Sequence, residues 1–179
     1  MTLVPAFEER PETAHGRILF ETLLAIHAML RRDLATVRRL AADVVAGLPA
    51  RSVSEGLDTL RNDGLLWQFP ASCLRYCRIV HLHHRLEDAE FFGELEEANP
   101  EIRPVVDRLR AEHLAVSDHL DAVEAAARSL SEKDNAEVRR SVAVALEVLE
   151  EHLLAHLEYE ERNIASTARR LPGRSSWGW

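Results

Sequence analysis

Apolar residues recur along this chain at alternating steps of three and four, the spacing that keeps side chains on one face of an α-helix. From about Arg17 to Ala46 the inward positions read Phe20, Leu23, His27, Leu30, Leu34 and Val37. This is the seam of a bundle helix with a histidine where an apolar residue is expected. Gly47 and Pro49 end it, since glycine suits the turn past a helix and proline cannot continue one. Between Ala50 and Phe69 the pattern loosens, and it predicts a short helix around Val53 to Leu60 broken at Asn62-Asp63-Gly64. Pro70 then opens a second long helix, because a first-turn proline gives up no helical hydrogen bond. That helix runs to about Asn99, with seam Cys73, Tyr76, Val80, His83 and Glu87, then Glu90 or Phe91. A third helix spans about Ile102 to Leu130, with seam Ile102, Val106, Leu109, His113, Val116, Leu120 and Val123. Asp134 or Asn135 caps a fourth. Its seam is Val142, Leu149, Leu153, His156 and Glu160, and it continues to about Arg170 before Leu171-Pro172-Gly173.

Four helices with short connections imply an all-α fold, an antiparallel up-down four-helix bundle. The expected division is an irregular lead-in over residues 1–16, the bundle over residues 17–170 and a mobile tail over residues 171–179. Composition agrees: 46 % hydrophobic and 29 % charged residues suit one globular domain with a core. Low aromatic content, at 6 %, favours helices over strands. The net charge of -8 argues against nucleic acid and anionic membranes as partners. No apolar run is long enough to span a bilayer, and Met1 to Arg17 lacks a signal-type stretch, so a cytoplasmic location is expected. Cys73 and Cys77 lie four apart. That is not the C-x-x-C of redox or zinc sites, and they read as buried thiols. The oligomeric state stays open.

The seams carry the chemistry. Each has a histidine near mid-helix, and two add a glutamate four residues later, His83 with Glu87 and His156 with Glu160. Burying an unpaired carboxylate or imidazolium costs on the order of several kcal/mol, so six such groups in one interior need compensation, and a metal supplies it. Imidazole and carboxylate ligands suit Fe, Mn or Zn. Two carboxylates from two helices can bridge two cations, with the imidazoles divided about two to each. The predicted metal ligands are His27, His83, Glu87, His113, His156 and Glu160. His81, His84 and His119 read as surface groups or as groups behind the ligands. Asp88 and Glu161 read as solvated or as orienting imidazoles, and His15 as exposed. His152, one turn before His156, has zincin spacing, but Leu153 stands where the general-base glutamate would be; whether it is a ligand stays open. Ferritin-type Glu-x-x-His is missing from the core helices, and no phosphate loop or Ser-His-Asp order is present.

These residues resemble a known family. His81-Leu82-His83-His84-Arg85-Leu86-Glu87-Asp88, followed by Phe91-Phe92, is similar to the H-H-x-x-E-D signature of hemerythrin-like (HHE cation-binding) domains. His156-Leu157-Glu158-Tyr159-Glu160-Glu161 resembles that family's terminal H-x-x-x-E-E, and His27 and His113 match its first-helix and third-helix histidines. The resemblance spans about Arg17 to Arg170. It implies a bundle around a non-haem di-iron centre of two iron ions, with His27 and His83 on one, His113 and His156 on the other, and Glu87 and Glu160 bridging. Sequence does not fix that grouping. Five-residue spacing as in the oxygen carriers would select Glu161; the four-residue spacing, closer to one turn, selects Glu160.

One departure bears on function. Oxygen-carrying hemerythrins have a second histidine four residues after the third-helix one, and here that position is Ser117. The resemblance then implies fewer protein ligands and a site less suited to reversible oxygen carriage. What is expected is a protein that binds or reacts with oxygen, peroxide or nitric oxide in sensing or detoxification. The alternatives are an iron- or oxygen-responsive regulatory module without turnover and a metal-free helical interaction domain. Whether it is an enzyme stays open, as do the physiological ligand and the electron donor.

Overall fold

The computed structural model describes Phe7, residues 10–46 and residues 58–173, with side chains in the last stretch described from Phe69 onward. Every element among them is helical: α1 Ala14–Ala46, α2 Asp58–Leu86, a π turn Glu87–Phe91, α3 Phe92–Ala98, a 3-10 turn Pro100–Ile102, α4 Arg103–Glu132 and α5 Ala136–Ala168. The expected tail beyond Gly173 and most of the lead-in lie outside the described residues.

Local chemistry sets the ends. α1 starts three residues before Arg17 because Thr13 caps it, its Oγ1 accepting the Gly16 N–H at 2.8 Å. Asn135 caps α5 by accepting the Val138 N–H at 2.9 Å. Asn99 accepts the Glu101 N–H ahead of α4.

The region before Pro70 departs from expectation. α2 runs unbroken from Asp58 through Asn62-Asp63-Gly64, and Pro70 lies inside it rather than in its first turn. The predicted start at Val53 falls outside the described residues. Interior glycine and proline cost about 1 and 3 kcal/mol in helix propensity. Propensity is overridden here by packing: Phe69 is fully buried and joins the core with Cys73, Tyr76 and Cys77.

α1 packs against α2 and α5, and α4 against α2 and α5, so the four long helices form a square in which chain neighbours are spatial neighbours. The interior has two apolar layers. One gathers Leu30, Leu34, Val37, Cys73, Val80, Val116, Leu120, Leu149 and Leu153. The other gathers Leu19, Phe20, Leu23, Phe91, Phe92, Leu95, Val106, Leu109 and Ile164. On every helix the histidine falls between them, because antiparallel chains bring the middles of all four seams to one level. No helix among the described residues is long and apolar enough to cross a membrane.

The open end of the second layer is laced shut. Thr13 donates its N–H to the Arg169 carbonyl at 2.9 Å and its hydroxyl to the Leu171 carbonyl at 2.6 Å. Arg170 Nε donates to the Arg10 carbonyl at 2.8 Å. Gly16 permits this approach: a Cβ there would lie 2.5 Å from the Ala168 and Arg169 carbonyl oxygens. Gly16→Ala should therefore lower stability by about 1–3 kcal/mol, the usual cost of overpacking. Gly93→Ala, where a Cβ meets nothing within 4 Å, should be neutral or gain up to about 1 kcal/mol from helix propensity. Thermal melting of the two variants checks the pair.

Candidate metal centre

Between the apolar layers lies a stratum of ionisable groups. His27, His83, His84, Glu87, His113, His156 and Glu160 are all at most 5 % exposed. α1 supplies His27, α2 and its π turn supply His83, His84 and Glu87, α4 supplies His113, and α5 supplies His156 and Glu160. The six sequence-predicted residues are thus brought together, with His84 beside them. The imidazoles present their Nε2 atoms to the two carboxylates. Glu87 Oε1 lies 3.2 Å from His83 Nε2 and 3.9 Å from His27 Nε2, while its Oε2 lies 3.5 Å from His113 Nε2. Glu160 Oε2 lies 3.4 Å from His27 Nε2 and 4.0 Å from His156 Nε2. Both carboxylates therefore sit between imidazoles from opposite sides of the interior. Among the described residues two groups have donor atoms close enough to hold an ion, His27-His83-Glu87-Glu160 and His84-His113-His156.

Three of the imidazoles are held from behind by carboxylates of a neighbouring element. His27 Nδ1 meets Glu161 Oε1 at 2.9 Å, His113 Nδ1 meets Asp88 Oδ1 at 3.0 Å, and His156 Nδ1 meets Glu112 Oε2 at 3.0 Å. Each carboxylate places the ring proton on Nδ1 and leaves the Nε2 lone pair facing inward, the arrangement that orients metal-binding imidazoles. Arg31 fixes Glu161 at 2.7 Å, and Arg108, lying over the Tyr159 ring, fixes Glu112 at 2.7 Å. Glu160 is thus the inward carboxylate of α5, and Glu161 stands behind His27.

Sequence reasoning missed Glu112, whose partner lies on another helix, and left His84 open between the surface and a place behind the ligands. Far from the surface, His84 is 5 % exposed and stacks on the His113 ring at 4.0 Å and 8°. The remaining histidines lie elsewhere. His119 and His152 pair with each other at 4.3 Å between centroids, His152 Nδ1 is engaged by the Val148 carbonyl, and His81 faces Asp121. The π turn settles the end of the α2 seam. Phe92 donates its N–H to the Glu87 carbonyl, one residue further than an α-helix allows, and the added residue brings both Phe91 and Phe92 inward while Glu90 is exposed. Phe92 closes over the other face of His113 at 5.3 Å.

The model of the hemerythrin HHE cation-binding domain matches residues 18–168, most of the chain and all four seams. The chain belongs to this family. No curated protein and no solved structure matches it.

The donors of this HHE domain fit the cations for which its family is described. Both oxygens of Glu87, both of Glu160, and Nε2 of His84, His113 and His156 are buried without a hydrogen-bond partner among the described residues. So many unsatisfied buried polar atoms in one place are rare in native proteins, and all face one another. Burial pushes Glu87 well above the carboxylate range, and the Glu160 charge adds to this. Burial likewise raises Glu160 to about 8, against the opposing effect of Glu87. Burial lowers His83 and His84, with the neighbouring imidazoles adding to it. It lowers His113 to about 3, and it lowers His27 and His156 against the pull of Glu161 and Glu112. At neutral pH the imidazoles are lone-pair donors, and the carboxyl pair retains a proton that a cation would displace.

A pH signature follows. The depressed imidazoles make the unfolded chain bind more protons than the folded one, so they contribute stability that is lost as pH falls below about 6.5. The raised carboxyls make the folded chain bind more, so their contribution is lost as pH rises through the window ending at about 8. The metal-free protein should be most stable near pH 6.5 and lose on the order of 1–2 kcal/mol by pH 8. Metal-loaded protein should show no such decline, since the cation replaces the proton. Melting midpoints of both forms between pH 5 and 8.5 check this, and equal, parallel profiles would count against a site in the core.

Proposed function

We propose that this protein is a non-haem di-iron HHE protein that binds or reacts with oxygen, peroxide or nitric oxide in sensing or detoxification. The observation that carries the reading is the pair of buried carboxylates, Glu87 and Glu160, each with oxygens directed between imidazoles of different helices. A single cation would leave part of this donor set unused, whereas two would draw on all of it. Mixed imidazole and carboxylate donors suit iron, and a bound pair of iron ions would supply one-electron chemistry toward small oxidants.

The chain's own residues prepare the site. His27 and His83 would hold one ion and His113 and His156 the other, with Glu87 and Glu160 between them. Glu161, Asp88 and Glu112 keep three of the imidazoles in the tautomer that presents Nε2 inward. The apolar layers above and below limit water, which favours small uncharged ligands over larger polar ones. Release of the carboxyl proton on metal uptake makes occupancy pH-dependent.

Anaerobic reconstitution with ferrous iron should saturate at two ions per chain, and the absorption spectrum should change when peroxide or nitric oxide is added. Saturation at one ion or none would contradict the reading. Iron binding without turnover of either reagent would instead assign a regulatory role. His83→Ala and His156→Ala should each lose metal, whereas His119→Ala, whose ring packs on His152 away from the layer, should bind as the parent does. Iron analysis of the three purified variants makes the comparison.

A further inference from the structure

The donor set is larger than six, and its extra member changes the balance between the two ions. His84 follows His83 directly, and consecutive residues on a helix diverge by about 100°. One turn of α2 therefore serves both sides of the interior. His83 turns to His27, ring centroids 5.0 Å apart, and His84 turns to His113 and His156, at 4.0 and 5.1 Å. Glu87, four residues after one and three after the other, lies on the face they share. We propose that His84 is a third imidazole ligand on the His113–His156 side, so that the two iron ions are unequal, one facing three imidazoles and the other two.

Two observations carry this. His84 offers a ring nitrogen within 4.8 Å of those of His113 and His156. Its Nε2 is buried with no hydrogen-bond partner among the described residues, a costly placement for a ring whose only work is to fill space. The inference rests on the di-iron reading above.

The test is ferrous iron binding with Mössbauer spectroscopy on the parent, His84→Phe and His27→Phe. Phenylalanine keeps an aromatic ring for the stack on His113 and removes both nitrogens. The parent should bind two ions in two distinct environments. His84→Phe should hold one of them at least about tenfold more weakly while its metal-free form melts no lower than the parent's, because an unsatisfied buried nitrogen has gone. Two ions at parental affinity and with parental spectra in His84→Phe would overturn the proposal while leaving the di-iron reading intact. A parent that binds no iron would sink both, and loss of iron in His27→Phe with none in His84→Phe would overturn this one alone. If His84→Phe does not reach the parent's helicity, His84→Ala is read by the same criteria, since truncation leaves a cavity rather than a clash.

Discussion

Two carboxylates facing each other in the middle of a helical bundle form the constraint around which the rest of this structure is arranged. Glu87 and Glu160 have no exposure, and among the described residues the ion-pair partners of both are imidazoles that burial keeps neutral. Without a cation the pair must hold protons, and several Nε2 atoms remain without partners. Such a layer subtracts from stability in the empty protein. The apolar layers on either side, from Leu30 to Leu153 and from Leu19 to Ile164, hold the bundle in register regardless. The polar layer is therefore a site whose cost the packing on either side must offset.

Precision comes from outside the layer. A long-range partner holds the back of three imidazoles, and two of those partners are themselves held by arginines, Arg31 and Arg108. The chain of contacts runs from solvent to the interior: Arg108 over Tyr159, Glu112 on Arg108, His156 on Glu112. His83 has no such support, its Nδ1 being buried and unpartnered. The two sides of the layer thus differ in ring support as well as in imidazole number, with His113 further clasped between His84 and Phe92.

Much of this was legible in the sequence, and the reasons are local. Seam positions such as Leu23, His27 and Leu30 repeat at helical spacing, so the four helices and the inward residues follow from periodicity alone. The His83–Glu87 and His156–Glu160 pairs share a face for the same reason. What escaped depends on geometry that periodicity does not contain. His84 is one residue off the seam, so its spacing leaves it between the surface and a place behind the ligands; its spacing of three to Glu87 was the available signal for the interior. Glu112 looks like a solvated neighbour of His113 because its partner is on α5. The π turn shifts the register after Glu87, and the spacing of the seam does not contain that shift. The helix through Gly64 and Pro70 shows burial of Phe69 prevailing over residues that usually mark a break.

The central claim is that cations occupy this layer and bind both carboxylates. Anomalous diffraction at the iron absorption edge, from crystals of anaerobically iron-loaded protein, examines it most directly. The account predicts two peaks between the apolar layers, one beside His27 and His83 and one beside His113 and His156, both adjoining Glu87 and Glu160. Peaks confined to the surface, with the layer free of iron and the carboxylate oxygens bonded to protein groups or water, would contradict it.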